Sequence, residues 1–180
     1  MDNQQPTLHT ERLKLRPFVP GDAPRVQVLA NDVRIADVTA SIAHPYTEEM
    51  AQLWIAAHPA MWRNKETVSF AITLIESNQL IGCISIMHIK NNEGELGYWV
   101  GVDFWNNGYC TEACREVVNF GFKQLSLQRI YAHHLCRNPA SGKVLIKAGF
   151  KHTGSGKTPC GYRKETEDIE IYEILNAAAG

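Results

Sequence analysis

The central part of the chain, residues 94–125, changes its hydrophobic pattern part-way along. It first alternates with period two, which predicts a strand that ends at Val102. A turn-rich run follows at residues 105–110, and from Thr111 polar residues recur at helical spacing. A turn of small residues before a helix directs backbone N–H groups at one point, where the helix dipole favours a phosphate. An ordinary strand-to-helix turn gives the same pattern, so the pattern alone leaves both interpretations open.

The segments before this region predict two helices and three strands. Residues 12–16 alternate and predict a first strand, and Asp22 opens a helix. A second helix begins after Thr47, a suitable N-cap, and is expected to end or kink at Pro59. Residues 67–86 contain two alternating runs separated by a polar turn, which predicts a hairpin.

The segments after it indicate a parallel strand pair. Residues 129–135 predict a strand that is reached through a helix, and a strand–helix–strand unit joins parallel strands by a crossover. Asn138 is expected to cap the next helix, and Gly149 to end it in a left-handed conformation. Residues 168–171 alternate as a terminal strand, with a hairpin as the alternative for this region. The result is a mixed α/β fold (α+β mixed sheet) with antiparallel N-terminal strands and flanking helices.

Composition restricts the protein class. We expect one domain at residues 10–177 after a short tail at residues 1–9, since 180 residues suffice for one sizeable core. The net charge of −1 gives no broad basic face, so direct nucleic-acid binding is not expected. The chain has no apolar run of membrane-spanning length and no signal-peptide pattern, which predicts a cytoplasmic protein without membrane contact. We expect either a monomer or a homodimer. The five cysteines have no disulfide framework and are expected to be reduced.

Four motifs, in matching order and spacing, resemble the GNAT superfamily of acetyltransferases and, within it, the RimJ/RimL-type protein N-acetyltransferases. The motifs are Thr10-Glu11-Arg12-Leu13 with Leu15-Arg16-Pro17; His44-Pro45-Tyr46-Thr47; Gly97-Tyr98-Trp99-Val100 with residues 105–113; and Asn138-Pro139-Ala140-Ser141 with Lys147-Ala148-Gly149-Phe150. The resemblance covers nearly the whole chain. It implies a GNAT fold whose central parallel pair is splayed to hold acetyl-CoA, with no metal.

The resemblance also implies which residues bind acetyl-CoA. Pantetheine would pair with the backbone of Val100 and Val102, and the pyrophosphate would lie on the N–H groups of residues 106–111. Trp105 and Cys110 depart from the usual loop residues, which puts the loop geometry in question. The implied cofactor-binding residues are Trp99, Val100, Val102, Asn106, Asn107, Gly108, Tyr109, Cys110, Thr111, Asn138, Ser141 and Lys147.

Acetyl transfer to an amine needs a base for the amine and a donor for the departing thiolate. The resemblance favours Glu95 as the base, because many members of the superfamily have a Glu at this strand position. Glu112, His133 and His134 are the alternatives. No cysteine has a convincing paired base, so direct attack by the amine is the simpler path. The tyrosine that many members use as the acid would fall at Leu145, and the resemblance therefore implies a role for Ser141.

The resemblance implies a protein N-terminus, of ribosomal-protein type, as the acceptor. A small amine such as a polyamine, an antibiotic or an amino-acid derivative is the alternative acceptor, and a non-catalytic acyl-CoA-binding module is the alternative function. Two other interpretations are weaker. Residues 154–158 resemble the end of a nucleotide-binding P-loop but lack its first glycine and following helix. Cys110, Cys114, His133, His134 and Cys136 lack the spacing of a metal site.

Overall fold

The computed structural model describes residues 4–160 and 162–177, which form one eight-stranded sheet flanked by helices. The strand order is β1-β2-β3-β4-β5-β6-β8-β7. The strands are β1 (Leu8–His9), β2 (Leu13–Arg16), β3 (Val68–Leu74), β4 (Leu80–Lys90), β5 (Glu93–Val100), β6 (Arg129–Leu135), β7 (Lys151–Cys160) and β8 (Glu165–Leu175). The helices are α1 (Ala23–Ala30), α2 (Val33–Ala36), α3 (Glu48–Arg63), α4 (Tyr109–Lys123) and α5 (Pro139–Lys147).

A gap opens in the middle of the sheet. All neighbouring strands are antiparallel except β5 and β6, which are parallel and joined through α4. Their ladder runs only from Glu93 opposite Arg129 to Glu95 opposite Tyr131. Beyond that point β5 stays paired with β4, and β6 with β8, so the two strands diverge. The splayed parallel pair predicted from the sequence is confirmed.

Each face of the sheet packs against its own helices, because side chains alternate along a strand. On one face, which we call the α4 face, Phe70 and Ile84 are fully buried against the apolar side of α4, and the rings of Phe70 and Phe120 meet edge-on at 5.4 Å. On the other, the α3 face, Ala71 and Cys83 pack against α1 and α3. The sheet therefore separates two cores, and the gap between β5 and β6 is a passage between them.

Four element boundaries differ from the sequence-based expectation. Val102 lies in a 3-10 turn rather than in the strand, because Phe104 N–H bonds the carbonyl oxygen of Gly101 (2.9 Å) and reverses the chain. The start of α4 also differs, since the helix begins at Tyr109 and not at Thr111. Helix α3 does not end at Pro59 but continues to Arg63, and Trp62 beyond the proline packs on the core. The expected tail contains β1, which pairs with β2.

The C-terminal hairpin settles the P-loop question. Residues 154–158 lie within β7, where they pair with β8 and lead into no helix.

Over residues 4–160 and 162–177, no group of three or more His, Cys, Asp or Glu side chains is arranged to hold a metal ion. Within the same ranges, no helix is both long enough and apolar enough to cross a bilayer. The five cysteines carry no disulfide.

Candidate active site

A cavity of about 1000 Å³ occupies the gap between β5 and β6. Its walls include Tyr98 and Ser141, which lie on the α4 side, and His58 and Ser85, which lie on the α3 side. The cavity therefore extends from one face of the sheet to the other. Two substrates that entered from opposite faces would meet at the gap.

Ten of the twelve residues that the sequence assigned to the cofactor line this cavity. They are Trp99, Val100, Asn106, Gly108, Tyr109, Cys110, Thr111, Asn138, Ser141 and Lys147. Val102 and Asn107 are outside the wall, and both make internal contacts instead. The Val102 carbonyl oxygen accepts the Trp105 backbone N–H (3.1 Å), and the Asn107 side chain donates to the Trp105 carbonyl oxygen (2.9 Å). Val102 cannot extend a strand-like pairing, because the strand has ended two residues earlier.

The start of α4 has the geometry of an anion site. Gly108 precedes the helix with φ at +79°, a left-handed conformation that glycine adopts without steric cost. The first intrahelical hydrogen bond of α4 is donated by the Glu112 N–H to the Gly108 carbonyl oxygen (3.1 Å), four residues earlier. The earlier N–H groups, of Tyr109 to Thr111, have no intrahelical acceptor and form the positive end of the helix dipole. Lys147 of α5 contributes a cation to the same cavity wall.

Asn138 precedes α5 as predicted but caps it differently. The residue occupies the N-cap position, and its side chain makes no capping hydrogen bond. Its backbone carbonyl oxygen instead accepts the Ser141 N–H (3.2 Å). The Asn138 amide is therefore not committed to the helix, and the residue lines the cavity.

Trp105, one of the unusual loop residues, closes the end of β5. Its indole N–H donates to the carbonyl oxygen of Val100 at 2.9 Å. A carbonyl oxygen has two lone pairs, so one remains for a ligand. The loop therefore occupies one lone pair of the Val100 carbonyl oxygen, which the family resemblance assigned to pantetheine.

Glu95 lies where β5 and β6 part, and two imidazole rings share its carboxylate. His88 Nδ1 and His133 Nδ1 each lie 2.9 Å from a different oxygen of Glu95, whose side chain is 14% exposed. The hydrogen bond from His133 is the largest cause of a lowered Glu95 pKa, so this carboxylate is ionised at neutral pH. An ionised carboxylate only accepts, and each Nδ1 must therefore carry the proton. In the neutral His133 ring the lone pair is then on Nε2, and His133 lines the cavity.

The other two base candidates are occupied by structural contacts. Glu112 accepts the Thr10 hydroxyl (2.6 Å), the Arg12 N–H (2.8 Å) and the Arg12 side chain (2.7 Å), and it lies outside the cavity wall. His134 Nδ1 bonds the Leu135 carbonyl oxygen at 2.9 Å. Its Nε2 faces Gly142 so closely that a Cβ added there would lie 2.5 Å away.

Ser141 has a partner that the sequence did not reveal. The Tyr98 hydroxyl donates to the Ser141 carbonyl oxygen (3.0 Å) and lies 2.8 Å from the Ser141 Oγ. A phenol has one proton, so in the second bond the serine hydroxyl is the donor. Burial raises the Tyr98 pKa well above its usual value, and the phenol stays protonated. The alternation placed Tyr98 on a strand face, but nothing in it indicated a contact 43 residues away.

Most of the chain matches a known protein family. The family of the acetyltransferase (GNAT) domain matches residues 12–151. The chain belongs to the GNAT acetyltransferases. This assignment confirms the predicted family, and the enzyme class follows from it. The alternative of a nucleotide-binding P-loop protein has no support from the match.

Individual relatives agree with the family assignment over almost the whole chain. An uncharacterised N-acetyltransferase of Bacillus subtilis, YoaA, is 29% identical over 175 residues, which are 94% of this chain and 97% of the relative. A GNAT-family acetyltransferase from Bacillus anthracis has a crystal structure that superposes with a TM-score of 0.83 at 26% identity, covering 94% of this chain and 98% of that one. The structure of RimL, a ribosomal L7/L12 alpha-N-protein acetyltransferase in complex with coenzyme A, superposes with a TM-score of 0.86 at 17% identity, covering 96% and 99%. The last likeness concerns the fold alone.

Proposed function

We propose that this GNAT enzyme transfers the acetyl group of acetyl-CoA to the N-terminal α-amine of a protein by direct attack. The observation that carries the proposal is the placement of two polar pairs around one gap. Glu95 and His133 lie on the α3 side, whereas Tyr98 and Ser141 lie on the α4 side. The first pair can take a proton from an amine, and the second can donate to a thiolate, so each is on the side where one reactant would enter.

The cofactor is proposed to occupy the α4 side of the cavity. The free N–H groups of Tyr109 to Thr111 suit the pyrophosphate, and Lys143 and Lys147 line the same wall for the negative charge. The diverging edges of β5 and β6 leave room for the extended pantetheine arm. The assignment of these residues to the cofactor is proposed for this chain, and it is supported by the RimL structure, which contains coenzyme A.

The proton of the amine is proposed to pass to His133 Nε2. Glu95 orients the ring through Nδ1 and balances the charge of the imidazolium that forms. The amine nitrogen bonds to the acetyl carbon, the C–S bond breaks, and the electron pair leaves on sulfur. The Ser141 hydroxyl can turn its proton toward that charge, while Tyr98 holds the serine in place through its carbonyl oxygen.

A protein N-terminus is the proposed acceptor class because RimL, which shares the fold, is named for acetylation of a protein α-amine. The test is thiol release from acetyl-CoA with peptides that have a free N-terminus and no lysine. We expect release that depends on the peptide, with the acetyl group found on the α-amine by mass spectrometry. The same peptide with a blocked N-terminus is the control and should release no thiol. Release at an equal rate without an acceptor amine would contradict the proposal.

A further inference from the structure

The α3 side of the cavity has an uncharged wall. Helix α3 contributes Trp54, His58 and Met61, and residues 38–46 contribute mostly apolar or small side chains. Within the described ranges, no Asp, Glu, Lys or Arg side chain lines this half of the cavity. Asp37 beside it is paired with Arg137 (2.9 Å) and is not part of the wall. Glu95 lies on this side but outside the wall, and His88 and His133 occupy its two oxygens, so a charged group that entered here would find no free counter-charge.

His58 is the unusual residue of this wall. The residue is 6% exposed, and neither ring nitrogen has a hydrogen-bond partner. The ring packs edge-on against Trp54 at 4.4 Å and tilts over Phe18 at 5.3 Å. These contacts fill space but satisfy neither nitrogen. A buried polar atom without a partner is unfavourable, so the site retains an unused donor and an unused acceptor at a cost to stability.

The polar side chains of β3 and β4 in this wall are already paired with one another. The Ser85 hydroxyl donates to the Ser69 hydroxyl (2.9 Å), and the Cys83 sulfur lies 3.5 Å from Ser85. Among the described residues, the other buried side-chain nitrogen without a partner belongs to His134, and Gly142 covers it. Among the residues that the structure describes, His58 is therefore the buried side chain of this wall with two unpaired ring nitrogens.

We propose that the acceptor amine carries an uncharged, mainly apolar or aromatic group that lies against this wall, with a neutral polar atom hydrogen-bonded to His58. The inference rests on the proposed function and names its acceptor more closely. A first residue such as Tyr or Gln fits, and so does a free amine with the same kind of side group. A polyamine, or a peptide that begins with Lys or Asp, would bury an unpaired charge and is disfavoured.

The first test compares acceptors that differ at one position. Peptides identical after the first residue, which is Phe, Tyr, Gln, Lys or Asp, are assayed beside phenethylamine, tyramine and spermidine. Uncharged acceptors should have values of kcat/KM roughly 10- to 100-fold above those of charged ones. The peptide and free-amine arms show which source supplies the group. Preference for Lys, Asp or spermidine would overturn the inference alone, whereas silence with every amine would overturn the proposed function as well.

The second test is His58→Phe, which keeps the aromatic packing and removes both nitrogens. We expect kcat/KM to fall roughly 10- to 100-fold for the Tyr and Gln peptides and to change less than about 3-fold for the Phe peptide. The Tm should stay or rise, because the unpaired nitrogens are gone, and the Kd for acetyl-CoA should not change. Met61→Leu, on the same helix face, is the packing control. An equal loss for all three peptides, or a fall in Tm without a change in selectivity, would assign His58 a packing role and overturn the inference.

Discussion

The two rings that share the Glu95 carboxylate differ in their access to water. The His88 side chain is 72% exposed, whereas that of His133 is 26% exposed. Both make the same 2.9 Å bond to the carboxylate. A charge pair that is shielded from water interacts more strongly than one in bulk solvent. At the scale of single residues, burial and not contact distance distinguishes the proposed base from its neighbour.

The histidine pair allows a matched test at this scale. His133→Gln should lower kcat by roughly 10²- to 10³-fold at neutral pH, the size typical of general-base catalysis. His88→Gln removes the other ring from the same carboxylate and should leave kcat nearly unchanged. Steady-state turnover under conditions where chemistry limits the rate decides between them. Equal losses in the two variants would mean that Glu95, and not His133, is the group that matters.

The sequence singled out Glu95 and Ser141 but not the residues that they contact, His133 and Tyr98. Strand alternation and a family resemblance fix a position in one element. The bonds from Glu95 to His133 and from Ser141 to Tyr98 join residues 38 and 43 positions apart. Such pairs depend on strand register and on how far two strands diverge. His58 could not be found either, because a histidine on an apolar helix face has the pattern of an ordinary core residue.

At the scale of elements, the loop before α4 determines where the helix N–H groups point. The sequence predicted its turn, and the anion site there stays a prediction. It placed the start of the helix two residues late and extended the preceding strand to Val102. The physical reason is that local alternation does not report where the chain turns. Arg12 makes a further contact that no local pattern indicates, since its guanidinium lies 4.7 Å over the ring of Tyr109 and bonds the Asn107 carbonyl oxygen (3.0 Å).

Gly108→Val tests the role of this loop. Valine at φ +79° is strained by about 1 to 3 kcal/mol, and the turn is expected to relax and misdirect the N–H groups. We expect the Kd for acetyl-CoA, measured by calorimetric titration, to rise at least roughly 10-fold. Gly154→Val is the matched control, because a Cβ there meets nothing within 4 Å. Unchanged affinity in a folded Gly108→Val protein would remove the loop from the cofactor site.

At the scale of the whole molecule, the sheet keeps the two proposed reactants apart except at the gap. The sequence predicted the mixed sheet and its splayed pair correctly, because both follow from the order of elements. It could not predict the ion-pair network that joins the end of α2 to the β7–β8 turn. Asp37 after α2 bonds Arg137 (2.9 Å) between β6 and α5 and Arg163 (2.7 Å) in the β7–β8 turn. These residues are 100 and 126 positions from Asp37.

Global stability should report the burial of His58 through its dependence on pH. Burial lowers the His58 pKa from 6.5 to about 4, so between these values the unfolded chain binds a proton that the folded chain does not. The free energy of unfolding therefore falls as pH falls through this window. Denaturant unfolding from pH 7 to 4.5 should show the wild type losing roughly 2 to 3 kcal/mol more than His58→Phe. The carboxylates with lowered pKa are common to both proteins and cancel in the comparison. Parallel curves would contradict a neutral buried His58.

The open ladder between β5 and β6 also has a consequence for the lifetime of the protein. Beyond Glu95 and Tyr131 the facing edges of β5 and β6 do not pair with each other, and the proposed acetyl-CoA arm would bind between them and stabilise the folded chain. A ligand that binds only the folded chain at 100 times its Kd adds about 2.7 kcal/mol of stability, which reduces the unfolded population about 100-fold. Proteases and chaperones act on that population. The gap would thus couple the abundance of the enzyme to the supply of its own cosubstrate, so that a cell depleted of acetyl-CoA would also lose the catalyst that consumes it.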